Sequence, residues 1–209
     1  MARSKIRWAS VVVTSCLAAP ALGGFSVVTG AANAGEWFGS AGAYTSISFS
    51  EFSEGTFINE QYSSLGIHFA DPVGNLIFGP DPTLLPQDGW GLKGLLSIDM
   101  RFDTPMRGLA VYYPAVVKAQ FYLGDQLVYS WVHYEQGGSN KFAGFMSDVS
   151  FDRVVFKNAL NPPPWGDPYP LTLDNVYFTT VPAPGAAACL IGLVPIAGRR
   201  RRRIFTSRR

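Results

Sequence analysis

Residues 119–132 read AQFYLGDQLVYSWV, two short runs separated by Gly124-Asp125. Phe121 and Leu123 share one face of the first run, and the second run repeats the alternation with Leu127, Tyr129 and Trp131. A period of two is typical of β-strands. A two-residue connection that begins with glycine favours a type II′ turn. The stretch therefore predicts a β-hairpin.

Alternating runs of the same kind fill the chain between Tyr44 and Phe178, with Gly, Pro, Asp and Asn between them. TSISFS at 45–50, for example, places Ile47 and Phe49 on one face and serines on the other. Further candidate strands begin at residues 66 (GIHF), 75 (NLIF), 95 (LLSIDMRF), 107 (RGLAVYY), 142 (FAGFM), 151 (FDRVVF) and 171 (LTLDNVYF). No window predicts a convincing amphipathic helix. About ten short strands without helices predict an all-β fold, a two-sheet antiparallel β-sandwich with jelly-roll-like topology.

The N-terminal end has the features of an export signal. Three basic residues precede an apolar run from Trp8 to about Leu22, and small residues follow it. This order predicts a secretory signal peptide. Ala32-Asn33-Ala34 matches the A-x-A pattern of signal peptidase and sets the predicted boundary at residue 34. A cleavage site near Gly23 and an uncut N-terminal anchor are the alternatives.

The charges are distributed unevenly along the chain. All fifteen Asp and Glu residues lie between Glu36 and Asp174, where there are only seven Lys and Arg, so this region carries a net charge of −8. The overall net charge of +2 conceals that difference. A negative domain repels phosphate groups, which argues against nucleic acid as a partner.

Residues 181–209 contain three features in a fixed order: a proline-rich pentapeptide, thirteen uncharged residues at 186–198, and five consecutive arginines. As a helix, the middle segment spans about 20 Å against about 30 Å for the hydrocarbon core, so it would stay in a membrane only marginally. The arginines favour the cytoplasmic side, which leaves the pentapeptide extended and accessible outside. The pentapeptide is Val181, Pro182, Ala183, Pro184 and Gly185, and the basic cluster is Arg199, Arg200, Arg201, Arg202 and Arg203.

This order resembles the PEP-CTERM sorting signal of exported bacterial proteins, in the variant with Val-Pro-x-Pro-Gly in place of Pro-Glu-Pro, and Ala183 stands where that motif has Glu. The resemblance implies an exosortase-type membrane protease as partner, a transient C-terminal contact with the membrane, and a final location at the cell surface or in the extracellular matrix. A plain tail anchor is the alternative for this segment.

The middle of the chain resembles the jelly-roll ectodomains that often precede such signals. The resemblance lies in SFSEFSEGTFINEQYSSLGIHFAD at 48–71, with FDRVVF and LTLDNVYF downstream. The predicted domains are therefore a signal peptide at 1–34, a β-sandwich ectodomain at 35–180 and a sorting signal at 181–209.

The sequence contains no motif for catalysis, neither HExxH nor a phosphate-binding loop nor a nucleophile elbow. The two histidines, His68 and His133, fit no metal or triad spacing and are expected to be structural or surface residues. Cys16 and Cys189 lie in the terminal segments, so the ectodomain holds no thiol. We therefore predict a non-catalytic protein. A secreted glycan hydrolase built on a carboxylate pair is the weaker alternative.

Two tryptophans and three carboxylates are the candidate ligand-binding residues. Trp90 in DGWGLKG and Trp165 in PPPWGDPY lie in loops rich in glycine and proline. Exposed indoles beside amide and carboxylate groups are the usual platform for sugars, so the alternative function is a carbohydrate-binding module with polysaccharide as partner. Glu51 or Glu54 approaches Asp174 if the first and last strands meet, and these oxygen ligands suit Ca²⁺ as a cofactor. The other interpretation is that the Asp174 side chain only bonds to nearby backbone.

Overall fold

A computed structural model describes residues 24–70, 74–85, 87–114, 116–134, 140–160 and 170–180 of the chain. Along these residues lie one α-helix and twelve strands. The helix, α1, covers Ala34–Ala41. The strands are β1 (Phe25–Thr29), β2 (Thr45–Ile47), β3 (Phe57–Ile58), β4 (Ile67–Phe69), β5 (Asn75–Phe78), β6 (Gly91–Gly94), β7 (Ser97–Tyr113), β8 (Val117–Leu123), β9 (Gln126–His133), β10 (Lys141–Asn158), β11 (Leu171–Leu173) and β12 (Val176–Thr180).

The strands form two antiparallel sheets, which confirms the predicted β-sandwich. The first sheet has the order β2-β12-β7-β10-β8-β9, with β1 added on β10 and β4 added on β7. The second sheet has the order β11-β6-β5-β3. The chain passes from the second sheet to the first at Asp174-Asn175, between β11 and β12. These two residues therefore lie where the two sheets meet.

The hairpin predicted from residues 119–132 is present as β8 and β9. Phe121 lies opposite Tyr129, and Gly124 has a φ of +58°, which the tight turn requires and which other residues rarely adopt. Both carboxylate oxygens of Asp152 accept from the Gly124 N–H, at 2.9 and 3.0 Å. Because Asp152 belongs to β10, these bonds tie the turn to the neighbouring strand.

Two pairs of predicted strands are each a single long strand. The runs at 95 and 107 join as β7, and the runs at 142 and 151 join as β10. The register of β7 and β10 shifts on either side of Phe151, where Ser147 Oγ accepts from Val149 N–H at 3.0 Å. Phe145 precedes this irregularity in β10 and contacts Phe121 of β8. β8 pairs with the part of β10 that follows the irregularity. The first sheet therefore bends at the irregularity and packs against itself.

The main core lies between these layers and is rich in phenylalanine. Ile47 and Phe49 both point into it, as the alternation predicts, although β2 ends at Ile47 and Phe49 has a φ of +66°. A core of this kind suits a domain without cysteines. Its fully buried members include Phe49, Phe121, Phe145, Phe151 and Phe156.

The helix α1 is not predicted from the sequence, and it precedes the region between Tyr44 and Phe178 in which no amphipathic helix is expected. It is only eight residues long and contains Gly35, Gly39 and Ser40, so its apolar pattern is too short to identify. Trp37 is fully buried on the outer face of β7 and β10, and its Nε1–H donates to Phe145 O at 3.0 Å. Tertiary packing of this one side chain, rather than helix propensity, therefore positions α1.

The folded region begins earlier than the predicted boundary at residue 34. β1 pairs with β10 along its whole length, from Phe25 opposite Ser147 to Thr29 opposite Ala143. Residues 25–34, assigned above to the signal peptide, thus belong to the sandwich and to the start of α1. The earlier part of the predicted signal peptide and the whole sorting signal lie outside the described residues. Within the described ranges, no helix is long and apolar enough to cross a membrane.

The first residue of β1 and the last residue of β12 lie at the same end of the first sheet. Thr180, the last residue of β12, lies opposite residue 106 of β7. Phe25, the first residue of β1, lies opposite residue 147 of β10, beside the same stretch of β7. β12 starts at the other end of this ladder, directly after Asp174 and Asn175.

Candidate functional site

Trp90 lies directly before β6 and is half-buried. Its ring packs against the main core, and a Cβ on Gly79 would come within 3.2 Å of Trp90 Cε3. The backbone N–H of Trp90 donates to Asp88 Oδ1 at 3.0 Å. Trp90 therefore packs as a core residue while part of its ring stays at the surface. Trp165 lies outside the described residues.

The loop that carries Trp90 is held by its own hydrogen bonds. Asp81 N–H donates to Gly89 O, and Gly89 N–H donates to Leu85 O, each at 2.8 Å. Asp81 Oδ1 accepts from the Thr83 hydroxyl at 2.6 Å and from two backbone N–H groups, and these bonds lower the pKa of Asp81. Leu85 is fully buried. These hydrogen bonds therefore fix the conformation of the described part of this loop, which carries Gln87 and Asp88.

Asp174 is a buried carboxylate at the junction of the two sheets, with only 1% of its surface exposed. Its Oδ2 accepts from the Gln87 N–H at 3.2 Å, whereas its Oδ1 has no hydrogen-bond partner among the described residues. Burial, with the negative charge of nearby Asp88 in addition, raises the pKa of Asp174 to about 6. A carboxyl group with one free oxygen in this place can take up a proton, a ligand donor or a cation.

The residue that donates to Asp174 and the residue that follows Asp174 both carry amide side chains with hydrogen bonds of their own. Gln87 Nε2 donates to Asn140 Oδ1 at 2.9 Å, and Asn175 Nδ2 donates to Tyr177 OH at 3.3 Å. The Oδ1 of Asn175 is buried and has no partner in the described part of the chain. These contacts connect the loop before β6 with the start of β12. The sequence predicts sugar binding in the first region, through Trp90, and calcium binding in the second, through Asp174. We call the following residues the Asp174 cluster: Gln87, Asp88, Asn140, Asp174 and Asn175.

Three aromatic side chains lie beside this cluster, on the outer face of the first sheet. The ring centroid of Tyr177 is 4.9 Å from that of Phe38 and 5.7 Å from that of Tyr44. Phe38 and Tyr44 are 5.2 Å apart, and Tyr44 is 46% exposed. Burial and the nearby charge of Asp174 raise the pKa of Tyr177, because the two groups adjoin. We call Phe38, Tyr44 and Tyr177 the aromatic patch.

The carboxylates predicted to bind calcium do not share one set of neighbours. β2 pairs with β12, so the early and late strands do adjoin. Ser48 Oγ donates to Glu51 Oε2 at 3.5 Å, Asp174 accepts from Gln87, and Glu54 is exposed. In the residues that the structure describes, no three His, Cys, Asp or Glu side chains form a group that could hold a metal ion. Calcium binding by Glu51, Glu54 or Asp174 stays a prediction.

A second polar group, not predicted from the sequence, surrounds His68 in β4. Its Nδ1 lies 2.5 Å from Glu60 Oε2, and its Nε2 lies 3.0 Å from Asp103 Oδ1. These two bonds raise the pKa of His68. Both carboxylates are exposed, which fits the expectation of a surface histidine. His133 Nδ1 lies 2.9 Å from the Tyr113 hydroxyl, a structural contact inside the first sheet.

No family model matches the chain, and no curated protein matches it. Among solved structures, the chain is similar to one described as "X-ray structure of GH31 CBM32-2 bound to GalNAc", with 15% sequence identity and a TM-score of 0.32. The match covers 66% of this chain and 98% of that chain. A similarity this weak carries no argument about function, so the function is inferred from the contacts of this chain alone.

Proposed function

We propose that the protein is a non-catalytic, exported bacterial protein that is cut at residues 181–185 and displayed at the cell surface or in the extracellular matrix. One observation supports this most: β12 ends at Thr180, directly before the pentapeptide. A cut within residues 181–185 therefore leaves every strand of the described sandwich in place. The order of pentapeptide, short apolar run and arginine cluster supplies the signal, as the PEP-CTERM resemblance implies.

The partner in this step is an exosortase-type membrane protease. The weakly apolar segment at 186–198 keeps the chain at the membrane only transiently, because it is shorter than a spanning helix. The cluster Arg199–Arg203 stops the chain from crossing completely, since moving five guanidinium groups through a bilayer is costly. Cleavage at the pentapeptide then separates the sandwich from its tail.

The intact mass of the native protein tests this proposal. We expect a C-terminus within residues 181–185 and no Arg199–Arg203 in the mature chain, and a mature protein that keeps these arginines contradicts the proposal. Replacing Pro182 and Pro184 with alanine should reduce processing, because proline favours the extended backbone that the proposed cleavage requires. Replacing Arg208 and Arg209 with alanine, outside the cluster, should leave processing unchanged.

Carbohydrate binding at the aromatic patch is the second candidate function. Aromatic rings pack against the apolar faces of sugars, and carboxylate and amide groups bind their hydroxyls. Tyr44 and Tyr177 supply rings, and the exposed residues Gln87 and Asp88 of the adjoining Asp174 cluster supply an amide and a carboxylate group. Trp90, half-buried, lies at the end of the adjoining loop. A polysaccharide of the cell surface or matrix fits both this chemistry and the proposed location.

Binding to a glycan array measures this second function. We expect Tyr44→Ala and Tyr177→Ala each to weaken binding about fivefold or more, because truncating a central ring typically costs over about 1 kcal/mol. Trp90→Ala should weaken it if the loop takes part. Phe57→Ala is the matched control, since it removes a ring that is 62% exposed and belongs to β3, outside the patch. If the unaltered protein binds no glycan, the carbohydrate-binding function is excluded, whereas the export proposal is unaffected.

The glycan hydrolase stays the weaker alternative. Such an enzyme needs two carboxylates about 5 to 9.5 Å apart on either side of the sugar bond. Asp99 accepts from Arg153 Nε and Nη2 at 2.9 and 2.6 Å, and Asp81 accepts from its own loop. We expect the purified protein to release no sugar from polysaccharides, and measurable turnover would favour the hydrolase.

A further inference from the structure

β1 contributes side chains to both cores of the domain. Phe25 stacks on Tyr129 of β9, with 4.2 Å between ring centroids and 6° between ring planes, and its centroid lies 5.1 Å from that of Phe121. Val27 also packs against the main core. Val28 packs against the second core, beneath α1. The segment that precedes the predicted boundary is therefore part of the packed domain.

The backbone of the same segment completes a sheet edge. All five residues of β1 pair with residues 143–147 of β10. Gly24 O accepts from Asp148 N–H at 3.2 Å, and Gly30 N–H donates to Phe142 O at 2.9 Å. Without β1, the outer N–H and C=O groups of this part of β10 lose their partners. An open apolar strand edge also invites aggregation.

The A-x-A match that sets the predicted boundary lies inside this folded segment. Residues 31–33 form a 3-10 turn, and Ala34 begins α1 and is buried. Asn33 Nδ2 donates to Thr29 O at 3.0 Å, which links the turn to the end of β1. Cleavage after Ala34 would therefore separate β1 from the domain that it completes.

Two other sites with small residues precede β1. Cleavage after Ala21 has Ala19 and Ala21 at the −3 and −1 positions, and cleavage after Gly23 has Ala21 and Gly23 there. Both sites lie at the end of the apolar run. We propose, building on the export inferred above, that signal peptidase hydrolyses the peptide bond after Ala21 or Gly23 and that β1 is the first strand of the mature protein. Water supplies the hydroxyl of the new carboxyl group and the hydrogen of the new amino group.

N-terminal sequencing of the full-length chain, exported by a bacterial host, tests the position of the cut. We expect the mature chain to begin at Leu22 or Gly24. A mature chain that begins at Gly35 overturns the proposal. Intact mass measured on the same sample identifies any second cut.

Substitution at the two alternative sites sharpens this test. Leucine at both Ala21 and Gly23 should block processing, because signal peptidase requires small residues at the −1 position. Leucine at both Ala32 and Ala34 is the matched control and should leave the cut where it is. The opposite pattern overturns the proposal, and the sequencing readout does not depend on how well either variant folds.

A second measurement does not depend on export. Two chains made without a leader, one starting at Gly24 and one at Gly35, are compared by thermal unfolding. We expect the longer chain to unfold cooperatively and the shorter chain to lose the transition or to melt at least about 10 °C lower. Phe25→Ala in the longer chain should give a smaller loss in the same direction. Equal melting temperatures of the two chains overturn the proposal.

The two measurements separate the cleavage site from the export on which it rests. A chain that never leaves the cytoplasm contradicts the proposed function and leaves no signal peptidase cut to locate. The comparison of the two leaderless chains would still show whether β1 belongs to the stable domain.

Discussion

Gly144 leaves the space that the Trp37 ring occupies. A Cβ at position 144 would lie 2.5 Å from Trp37 Cγ and Cδ1, so the ring and α1 would have to move. We expect Gly144→Ala to lower the free energy of unfolding by about 1 to 3 kcal/mol through overpacking, measured by chemical denaturation. Gly39→Ala is the control, because no atom lies within 4 Å of its Cβ position and alanine favours a helix by about 0.5 to 1 kcal/mol. Equal stability of Gly144→Ala and the parent would contradict this packing.

His68 should make stability depend on pH above its ordinary pKa of 6.5. Glu60 and Asp103 raise its pKa from the ordinary 6.5, so the folded state holds the proton to a higher pH than the unfolded state does. The stabilisation is fully present below pH 6.5 and is lost as the pH rises through the raised pKa. We expect the melting temperature to fall over that range, and His68→Gln to remove the fall. The same pH slope in both proteins would count against the ion pairs.

Asp174 should make stability depend on pH in a lower range, between 3.8 and about 6. Its pKa rises from 3.8 to about 6 on folding, so the folded state binds more protons than the unfolded state between these values. The free energy of unfolding therefore decreases as the pH rises from 3.8 to about 6. Asp174→Asn should flatten this decrease and leave the protein more stable than the parent at neutral pH. Thermal unfolding across this pH range measures both effects, and a variant as pH-sensitive as the parent would exclude Asp174 as the cause.

Calcium would reverse the effect of burying the Asp174 carboxylate. A bound cation favours the charged form, so added calcium should raise the melting temperature of the parent at neutral pH and have little effect on Asp174→Asn. Glu51→Gln and Glu54→Gln report whether the other predicted ligands take part. No calcium-dependent shift in the parent would remove the metal prediction.

Among single residues, the sequence singles out Asp174 and Trp90 but not their neighbours. An acidic residue beside an amide near the last strand, and a tryptophan between glycines, are visible in the sequence. The Gln87 N–H contacts Asp174, and the Gln87 side chain contacts Asn140, over separations of 87 and 53 residues that no local pattern encodes. Local patterns do not predict the contacts of His68 either, because Glu60 and Asp103 lie 8 and 35 residues away from it in the chain.

At the scale of elements, alternation locates strands but not their ends. β8 and β9 are predicted correctly because a glycine-led turn separates them. β7 and β10 are each predicted as two strands, since bulges interrupt the alternation without interrupting the strand. β1 has the composition of a strand, yet it lies within the predicted signal peptide at 1–34 and is therefore not predicted as a strand.

The β8–β9 turn carries one prediction at this scale. Gly124 has a φ of +58°, which costs an L-residue about 1 to 2 kcal/mol. We expect Gly124→Ala to lower the free energy of unfolding by about that amount, measured by chemical denaturation. Asp152→Ala, which removes the bonds from the turn to β10, should destabilise the same hairpin. A Gly124→Ala protein with unchanged stability would mean that the turn relaxes without cost.

At the scale of the whole molecule, the fold class follows from the number of short strands and the scarcity of helical patterns. The order of strands does not, because β7 and β10 pair with strands from both halves of the chain. The bend that folds the first sheet over the core depends on irregularities near Phe151. Such features arise from packing between distant segments, which local patterns do not contain.

Because Phe25 and Thr180 lie at the same end of the first sheet and Asp174 precedes the other end of β12, the position of the Asp174 cluster has a consequence for many copies attached to one surface. If copies of the chain are attached through the residues after Thr180, as proposed above, the Asp174 cluster of each copy lies at the opposite end of β12 from the attachment point. Under the proposed function, many such copies on one surface would bind a repetitive polysaccharide at several places at once. Avidity would then make weak individual contacts sufficient for strong adhesion, so the affinity of a single molecule would be lower than that of the whole surface.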